Sequence, residues 1–254
     1  MAWLAYLQTR WGSVKSTFLH MLYLPILGKT VQALTAVVSS RILSLRNQTT
    51  GAVLVICPAS VLIHWESEIT KFFKPTILRP LLFADLLSRS IKSSSSVIEE
   101  DSRNSILRGL SIHDVVLVSY AKFLKEIHIL KEVLWDTIIL DEAHIIKNPK
   151  SKTAEAIFSV RAQRRIAITG TPLQNNVNEL WSIFNFLLPD YLGEYNEFRS
   201  EYIAPIQRSF EIIESNRGGS SNRQSISLQG LTKLQQLHKM VTNLSFLSIV
   251  SNCI

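Results

Sequence analysis

The chain has few of the features that mark a secreted, membrane-bound or metal-cluster protein. Only two of its 254 residues are cysteines, Cys57 and Cys253, which cannot form a metal site by themselves. Its longest apolar stretches are interrupted by charge or proline well before about 18 residues, so no membrane-spanning segment is expected. Arg10 and Lys15 interrupt the N-terminal region, which lacks a signal-peptide pattern. Cys57 lies in an apolar run and is expected to be a buried thiol, which fits a reducing, intracellular compartment.

Acidic residues are in the minority. Lys and Arg number 27 against 20 Asp and Glu, which gives a net charge of +7. A basic balance favours a polyanionic partner such as nucleic acid, although many basic domains bind none. With 46% hydrophobic and 19% charged residues, the chain can bury a substantial core. Its length suits one domain, or one domain plus an extension.

Strands and helices alternate along most of the chain. Predicted strands cover 52–57, 77–84, 114–119, 136–141 and 165–169, and predicted helices cover 2–8, 29–45, 60–73, 121–131, 151–162, 178–189 and 231–241. Ser60 is predicted to cap the helix at 60–73. Polar composition predicts mobile segments at 88–105 and 214–228. Alternating elements indicate a parallel sheet covered on both faces, with the ligand at the carboxyl ends of its strands.

Two adjacent carboxylates end the predicted strand in the sequence IILDEAH at 138–144. Asp141 suits Mg²⁺ binding and Glu142 suits polarisation of an attacking water, whereas a solvated Asp-Glu pair is the plain alternative. Successive strand side chains point to opposite faces, so the two can converge only if the chain has turned by Glu142. His144, and the turn Thr169-Gly170-Thr171 after the next strand, favour a functional site. That turn could relay loss of a phosphate, although by itself it would be an ordinary turn.

Gly28-Lys29-Thr30 opens the predicted helix at 29–45. A helix N-terminus, a lysine and a hydroxyl are what phosphate and Mg²⁺ require. The full Gly-x-x-x-x-Gly-Lys-Thr pattern fails, because Tyr23 occupies the first glycine position. A bare Gly-Lys-Thr is common by chance, so its meaning depends on its context.

Basic residues follow the carboxylate pair. They form either a basic surface near the site or a solvated face, and they are Lys147, Lys150, Lys152, Arg161, Arg164 and Arg165. Trp65 and Trp181 are predicted to lie in the core rather than to stack on bases.

Several of these segments together resemble one family. VLVICPASVLIHWESEITKF, DVVLVSYAKF, WDTIILDEAHIIKNPKSKTAEAI and RIAITGTPLQNNVNELWSIFNFLLPDYLG resemble, in order and spacing, the first motor lobe of Swi/Snf-type helicase-like ATPases. The match covers roughly residues 50–200. FRSEYIAPIQRS and LQQLHKMV are similar to the branch that removes TATA-binding protein from DNA, although that branch usually has glycine where this chain has Ala143.

The resemblance implies an α/β fold: a three-layer RecA-like (P-loop NTPase) lobe with a parallel sheet over residues 1–200, followed by a helical C-terminal extension over 201–254. It implies ATP-driven translocation along double-stranded DNA, with ATP and Mg²⁺ as cofactors. The complex remodelled would contain TATA-binding protein or nucleosomes, in the nucleus, and no membrane partner is expected.

Site residues follow from the same resemblance, position by position. The residues expected at the ATP phosphates are Gly28, Lys29 and Thr30. Thr30 and Asp141 would hold Mg²⁺, and Glu142 would activate water. The residues expected to couple hydrolysis to movement are Thr169, Gly170 and Thr171. Those expected near DNA phosphates are Pro58, Ala59, Ser119 and Tyr120, to which the basic cluster adds Lys147.

The chain also departs from the family pattern. Tyr23 to Ile26 replace an acidic, glycine-containing run, and Ile26 stands where the family has a glycine that lets the backbone wrap phosphate. The adenine-recognising glutamine segment would precede Met1, and the sequence stops before a second lobe. We therefore expect a truncated or mis-spliced gene model whose isolated chain is inactive. The alternatives are a non-hydrolytic module that binds DNA or protein, and a fragment without an independent role.

Overall fold

The computed structural model describes residues 20–21, 29–46, 51–93, 99–169, 177–214, 228–237 and 239–240. The predicted helix at 2–8 and nearly all of the predicted mobile segment at 214–228 lie outside these residues. So do Tyr23, Ile26, Gly28, Gly170 and Thr171.

Within the described residues, six parallel strands form one sheet. They are β1 (His20–Met21), β2 (Val53–Cys57), β3 (Pro80–Leu82), β4 (Val115–Ser119), β5 (Trp135–Asp141) and β6 (Ala162–Ile168), in the order β1-β6-β5-β2-β4-β3. β2 and β4 are runs of apolar, mostly β-branched residues without polar alternation. Such runs suit strands that are covered on both faces. The predicted parallel sheet is confirmed, although the strand predicted at 77–84 is only three residues long.

Helices cover the two faces of the sheet. They are α1 (Lys29–Arg46), α2 (Leu62–Phe72), α3 (Phe83–Ser93), α4 (Glu99–Ser111), α5 (Tyr120–Lys125), α6 (Ile127–Leu130), α7 (Lys152–Phe158) and α8 (Val177–Leu187). α1 and α2 pack on one face, where Leu34 and Trp65 join Val55 and Ile139 in one apolar cluster. The larger cluster on the other face includes side chains of α3 to α8. The three-layer α/β fold is therefore confirmed.

The segment predicted to be mobile at 88–105 is largely helical. α3 continues to Ser93 and α4 begins at Glu99, so both helices extend into the serine-rich stretch. Their buried anchors are Leu86 and Leu87 before the polar stretch and Ile106 and Leu110 after it. The prediction was wrong because the apolar residues that hold these helices lie outside the window of polar composition.

Ser60 does not cap the helix that follows β2. It is exposed in a short 3₁₀ turn, Ala59–Val61, and α2 begins at Leu62 without a side-chain cap. The Val61 N–H donates to the Pro58 carbonyl oxygen at 3.1 Å. The turn's own hydrogen bond therefore takes the place of the predicted serine cap.

A third apolar cluster joins α8 to the C-terminal helices. Tyr195–Phe198 continues through a π-helical turn at Arg199–Ile203 into Ala204–Glu214, so the backbone is helical on both sides of position 200. The cluster contains Trp181, Phe184, Phe198, Ile203, Ile206 and Leu237. On the helix at 228–237, Leu237 is buried, whereas Leu231 and Leu234 are exposed.

Three expectations about burial and membrane association can be compared with the structure. Trp65 and Trp181 are both buried, as predicted. Cys57 is a fully buried free thiol, also as predicted. Within the described ranges, none of the helices combines the length and the apolar character needed to cross a membrane.

Candidate functional site

The carboxyl ends of neighbouring parallel strands bring most predicted site residues to one edge of the sheet. Asp141 ends β5, Thr169 directly follows β6, Ser119 ends β4 and Pro58 directly follows β2. β1 is parallel to β6, so its carboxyl end lies at the same edge; α1, whose first turn contains Thr30, is the next described element along the chain. This edge is where ligands bind in open α/β sheets.

Hydrogen bonds hold Asp141 on three of its atoms. The Trp65 indole Nε1 donates to Asp141 Oδ2 at 2.8 Å, and the Glu142 backbone N–H donates to Oδ1 at 3.0 Å. The Tyr120 hydroxyl donates to the Asp141 carbonyl oxygen at 2.9 Å. The end of β5 is therefore fixed from α2, from α5 and from its own next residue.

Glu142 has left-handed backbone angles, with φ 56° and ψ 53°. This conformation is uncommon for a residue other than glycine, and it ends the extended strand at once. The alternation that would send the Asp141 and Glu142 side chains to opposite faces therefore stops at Asp141. The turn that the sequence required for the two carboxylates to share one ligand is present.

The Glu142 carboxylate lies beside His144. Glu142 Oε2 is 3.1 Å from His144 Nδ1, an ion-pair distance without hydrogen-bond geometry. Both side chains are about two-fifths exposed, at 39% and 40%. The Glu142 carboxylate is thus accessible to a water molecule, whereas both oxygens of the Asp141 carboxylate are held by hydrogen bonds.

Glu179 is a buried carboxylate of this region that the sequence reasoning missed. It lies in the first turn of α8 and is only 9% exposed. Burial raises the pKa of Glu179, and the nearby His144 and Lys147 oppose that rise. The Ser182 hydroxyl of the same helix donates to the Lys147 carbonyl oxygen at 3.3 Å. A sequence signal existed, because Glu179 shares the helical spacing of the buried residues Ile183 and Phe186.

Replacement of Glu179 by Gln is expected to stabilise the chain at neutral pH. The folded-state pKa lies above the unfolded one, so stability is lost as pH rises through this range and stays lower once Glu179 is ionised. We expect Tm at pH 7 to rise, by about 2–4 °C for each 1 kcal/mol gained in a chain of this size. The gain should vanish in acid, where wild-type Glu179 is protonated.

Thermal unfolding across a pH series measures this effect. Glu197→Gln is the matched control, because Glu197 is exposed and its replacement should leave Tm nearly unchanged. A lower Tm for Glu179→Gln at pH 7 would show instead that His144 and Lys147 stabilise the carboxylate more than burial disfavours it.

The residues predicted to contact DNA differ in accessibility. Ala59 is exposed and Pro58 is half-buried. The Ser119 hydroxyl accepts the Lys122 N–H at 3.3 Å and so caps α5. Tyr120 is buried, and its pKa is raised well above the usual value by burial and then by the charge of Asp141. Ser119 and Tyr120 therefore have structural roles, and their contact with DNA stays a prediction.

Three lysines of the predicted basic surface are exposed beyond the carboxylate pair. They are Lys147, Lys150 and Lys152. The Lys150 ammonium lies 5.6 Å from the centre of the Tyr195 ring, which connects this segment to the C-terminal helices. These lysines can reach a polyanion without breaking a buried contact.

Arg164 and Arg165 do not belong to an exposed basic surface, so this part of the prediction was wrong. Arg164 Nη1 lies 2.8 Å from both carboxylate oxygens of Asp136 in a largely buried ion pair. The buried Arg165 guanidinium donates to the carbonyl oxygens of Val160 and Phe186, and burial lowers its pKa. Both side chains belong to β6, where the strand directs them towards protein groups.

The donor set fits Mg²⁺ and phosphate. The Asp141 carboxylate and the Thr30 hydroxyl are oxygen ligands of the kind that Mg²⁺ prefers. α1 has 18 residues and no acidic residue in its first turn, which suits an anion at its N-terminus. Among the described residues, no group of three or more His, Cys, Asp or Glu side chains could hold a metal. Mg²⁺ bound by one carboxylate, a hydroxyl and phosphate oxygens needs no such group.

Comparison with known proteins gives consistent matches. The family model described as SNF2-related domain matches residues 25–249. The chain is 32% identical to TATA-binding protein-associated factor BTAF1 of Arabidopsis thaliana, over 85% of this chain and 10% of that protein. It is 33% identical to TATA-binding protein-associated factor MOT1 of Saccharomyces cerevisiae, over 85% and 11%. It is 35% identical to the ISWI chromatin-remodeling complex ATPase ISW2 of the same yeast, over 68% and 14%.

Solved structures agree with these sequence matches. The Sulfolobus solfataricus SWI2/SNF2 ATPase core in complex with dsDNA has a TM-score of 0.59 and 32% identity, over 90% of this chain and 40% of that one. The same core domain, in a second structure, has a TM-score of 0.56 and 32% identity, over 91% and 40%. The chain thus spans about a tenth of the length of the first curated relatives and 40% of these cores.

Proposed function

Because the chain belongs to the SNF2-related domain family, we propose that it is the first ATPase lobe of a motor that moves along double-stranded DNA and displaces a bound protein. It is an SNF2-family ATPase domain related to the TATA-binding protein-associated factors and to a chromatin remodeller. The observation that carries the proposal is the strand end at Asp141 and Glu142. There a hydrogen-bonded carboxylate and an accessible one share the sheet edge with Thr169.

The two carboxylates of this edge have different proposed tasks. Asp141 and Thr30 hold Mg²⁺, because a carboxylate and a hydroxyl are oxygen ligands that this cation prefers. Glu142 accepts a proton from, or orients, the attacking water, since its carboxylate is accessible and held beside His144. When bound, Mg²⁺ neutralises charge that develops on the phosphates.

Two segments, one before and one after β5 in the sequence, are proposed to bind phosphate and to couple hydrolysis to movement. Gly28 and Lys29 contact phosphate oxygens at the start of α1, with the backbone N–H groups of the first turn. Thr169, Gly170 and Thr171 connect β6 to the segment before α8, so a change at the phosphates can reach that helix. We propose that this segment couples hydrolysis to movement.

The proposed polymer is double-stranded DNA. A relative of known structure is a core in complex with dsDNA, and the exposed lysines of this chain lie beyond its carboxylate pair. Pro58, Ala59, Ser119, Tyr120 and Lys147 are the proposed contact positions. Contacts with phosphate position the polymer without reading its sequence.

The complex that is remodelled is proposed from the relatives. Two of them are TATA-binding protein-associated factors, which favours TATA-binding protein on DNA as the target. A third is the ATPase of a chromatin-remodeling complex, which keeps nucleosomes as an alternative. Either target places the protein in the nucleus. Residues 1–200 are the proposed motor lobe, and 201–254 the proposed helical extension.

Removal of three charges by Lys147→Gln, Lys150→Gln and Lys152→Gln is expected to weaken DNA binding and its salt dependence. If each lysine neutralises one phosphate, the slope of log K against log salt should fall by up to about 3 units. Fluorescence anisotropy of a labelled duplex over a salt series measures both quantities. Affinity should be similar for duplexes of unrelated sequence.

The matched control removes the same charge elsewhere, by Lys74→Gln, Lys125→Gln and Lys131→Gln, all at exposed positions. Equal slopes for the two triple variants would indicate a general charge effect and would count against the proposed DNA path. A chain that binds DNA through Lys147, Lys150 and Lys152 but takes up no MgATP would favour the non-hydrolytic binding module.

A further inference from the structure

The side chain of Trp65 connects α2 to the carboxylate at the end of β5. Its indole Nε1 donates to Asp141 Oδ2 at 2.8 Å, and the ring is fully buried. The two residues lie 76 positions apart in the sequence. A tryptophan N–H is a donor only, so it can occupy one position on a carboxylate but cannot itself bind a cation.

This hydrogen bond is partly buried, and its indole side is shielded from water. Cys57 ends β2 in the same apolar cluster as Trp65, and its thiol is fully buried. Burial, and then the charge of Asp141, raise the pKa of Cys57 to about 12. A hydrogen bond to a charged group is strong where water does not compete, so the indole restricts the carboxylate's rotation.

The backbone around Asp141 is restricted as well. The Tyr120 hydroxyl holds the Asp141 carbonyl oxygen, and the Glu142 N–H holds Oδ1. With Oδ2 on Trp65, hydrogen bonds fix the direction of both carboxylate oxygens. Partners of this kind orient the ligands of metal sites, and their loss typically costs about 10–100-fold in metal affinity.

We propose that Trp65 is a positioning residue that fixes the Asp141 carboxylate for the divalent cation bound with the nucleotide. This inference rests on the proposed ATPase function, because it gives Asp141 a cation to hold. Trp65 contacts neither cation nor nucleotide in this role. It acts only through the direction that it imposes on Asp141.

The same strand supplies a matched control. Trp135 begins β5 and is also fully buried, and its Nε1 donates to the Leu130 carbonyl oxygen at 3.0 Å. It lies about 20 Å along the strand from Asp141, at roughly 3.3 Å per residue. Trp65→Phe and Trp135→Phe each remove one indole and one hydrogen bond, so both should lower stability. Only Trp65→Phe removes a bond to the site carboxylate.

The first measurement is the Mg²⁺ dependence of ATP binding to the 254-residue chain, by calorimetry. Trp65→Phe should raise the Mg²⁺ concentration for half-maximal binding by about 10–100-fold. Trp135→Phe should leave this Mg²⁺ concentration within about twofold of the wild-type value. That change is smaller than the roughly 10-fold minimum expected when the hydrogen bond to Asp141 is lost. Equal Mg²⁺ dependence in the two variants would overturn the inference while leaving the proposed function intact.

The second measurement follows the two indole signals directly and is made with and without ATP. Mn²⁺ is added to ¹⁵N-labelled protein, and the indole N–H signals of Trp65 and Trp135 are followed by NMR. Selective broadening of the Trp65 signal, abolished by Asp141→Asn, supports the inference. Equal broadening of both signals, or no broadening with ATP present, overturns it. Absence of ATP binding by the wild-type chain would count against the proposed function, whereas selective broadening by Mn²⁺ alone would still support the role of Trp65.

Discussion

Purified alone, the 254-residue chain is expected to hydrolyse ATP about 10³–10⁵-fold more slowly than a complete SNF2-family core, with or without DNA. The chain spans 40% of the solved cores that it matches. The family resemblance implies that an arginine of a second lobe stabilises charge on the transferred phosphate. An arginine finger is worth about 10³–10⁵ in turnover. Ile26, in place of a glycine at the phosphate loop, should weaken nucleotide binding as well.

A phosphate-release assay with and without duplex DNA measures this turnover. The positive control is the Sulfolobus solfataricus SWI2/SNF2 ATPase core, and the background control is the Lys29→Ala variant of this chain. Robust, DNA-stimulated hydrolysis by the chain alone that Lys29→Ala abolishes would contradict the expectation. It would show that these residues hold all the groups needed for phosphoryl transfer.

Glu142→Gln should lower kcat by about 10²–10⁴-fold, the effect assigned to a general base, and should preserve ATP binding. The test needs a longer protein, in which these residues join a second ATPase lobe and the acidic, glycine-containing loop before Gly28 is restored. Glutamine keeps the size and hydrogen bonding of glutamate but cannot accept the proton of water. Single-turnover hydrolysis and equilibrium ATP binding separate the two quantities.

Asp141→Asn is the matched comparison for that variant. It should weaken Mg²⁺-dependent nucleotide binding, because the amide removes the charge that holds the cation. The Trp65 indole can still donate to the remaining side-chain oxygen. If Glu142→Gln instead loses ATP affinity while turnover per bound ATP is unchanged, the roles assigned to the two carboxylates are wrong.

The four central strands of the sheet could be predicted from the sequence because local patterns determine them. The runs at Val53–Cys57 and Val115–Ser119 are apolar and mostly β-branched. The strand Trp135–Asp141 ends at the first residue of the carboxylate pair. Parallel order then requires the predicted residues at their carboxyl ends to lie at one edge. The position of that edge could therefore be predicted from the sequence alone. The sequence also predicted that the chain must turn at Glu142.

The partners of the site residues could not be predicted in this way. No local pattern connects Trp65 to Asp141, since their hydrogen bond depends on how α2 lies against the sheet. Arg164 and Arg165 resembled surface charges because they follow other basic residues, but β6 places them against Asp136 and the interior. The helices at 83–93 and 99–111 were missed because the polar window at 88–105 excludes the apolar residues that anchor them.

The position of β1 in the sheet sets the order in which this lobe can be assembled. His20 pairs with Ile166 and Met21 with Ala167, so the first described strand joins the sheet beside the last one. All the other described strands lie between these two along the chain. Contacts between distant segments form late, because the loop that connects them must first be closed. During synthesis, β1 therefore cannot pair until β6 has left the ribosome. The side of the sheet formed by β1 and β6, which precedes the proposed phosphate-binding segment, is the last to be completed.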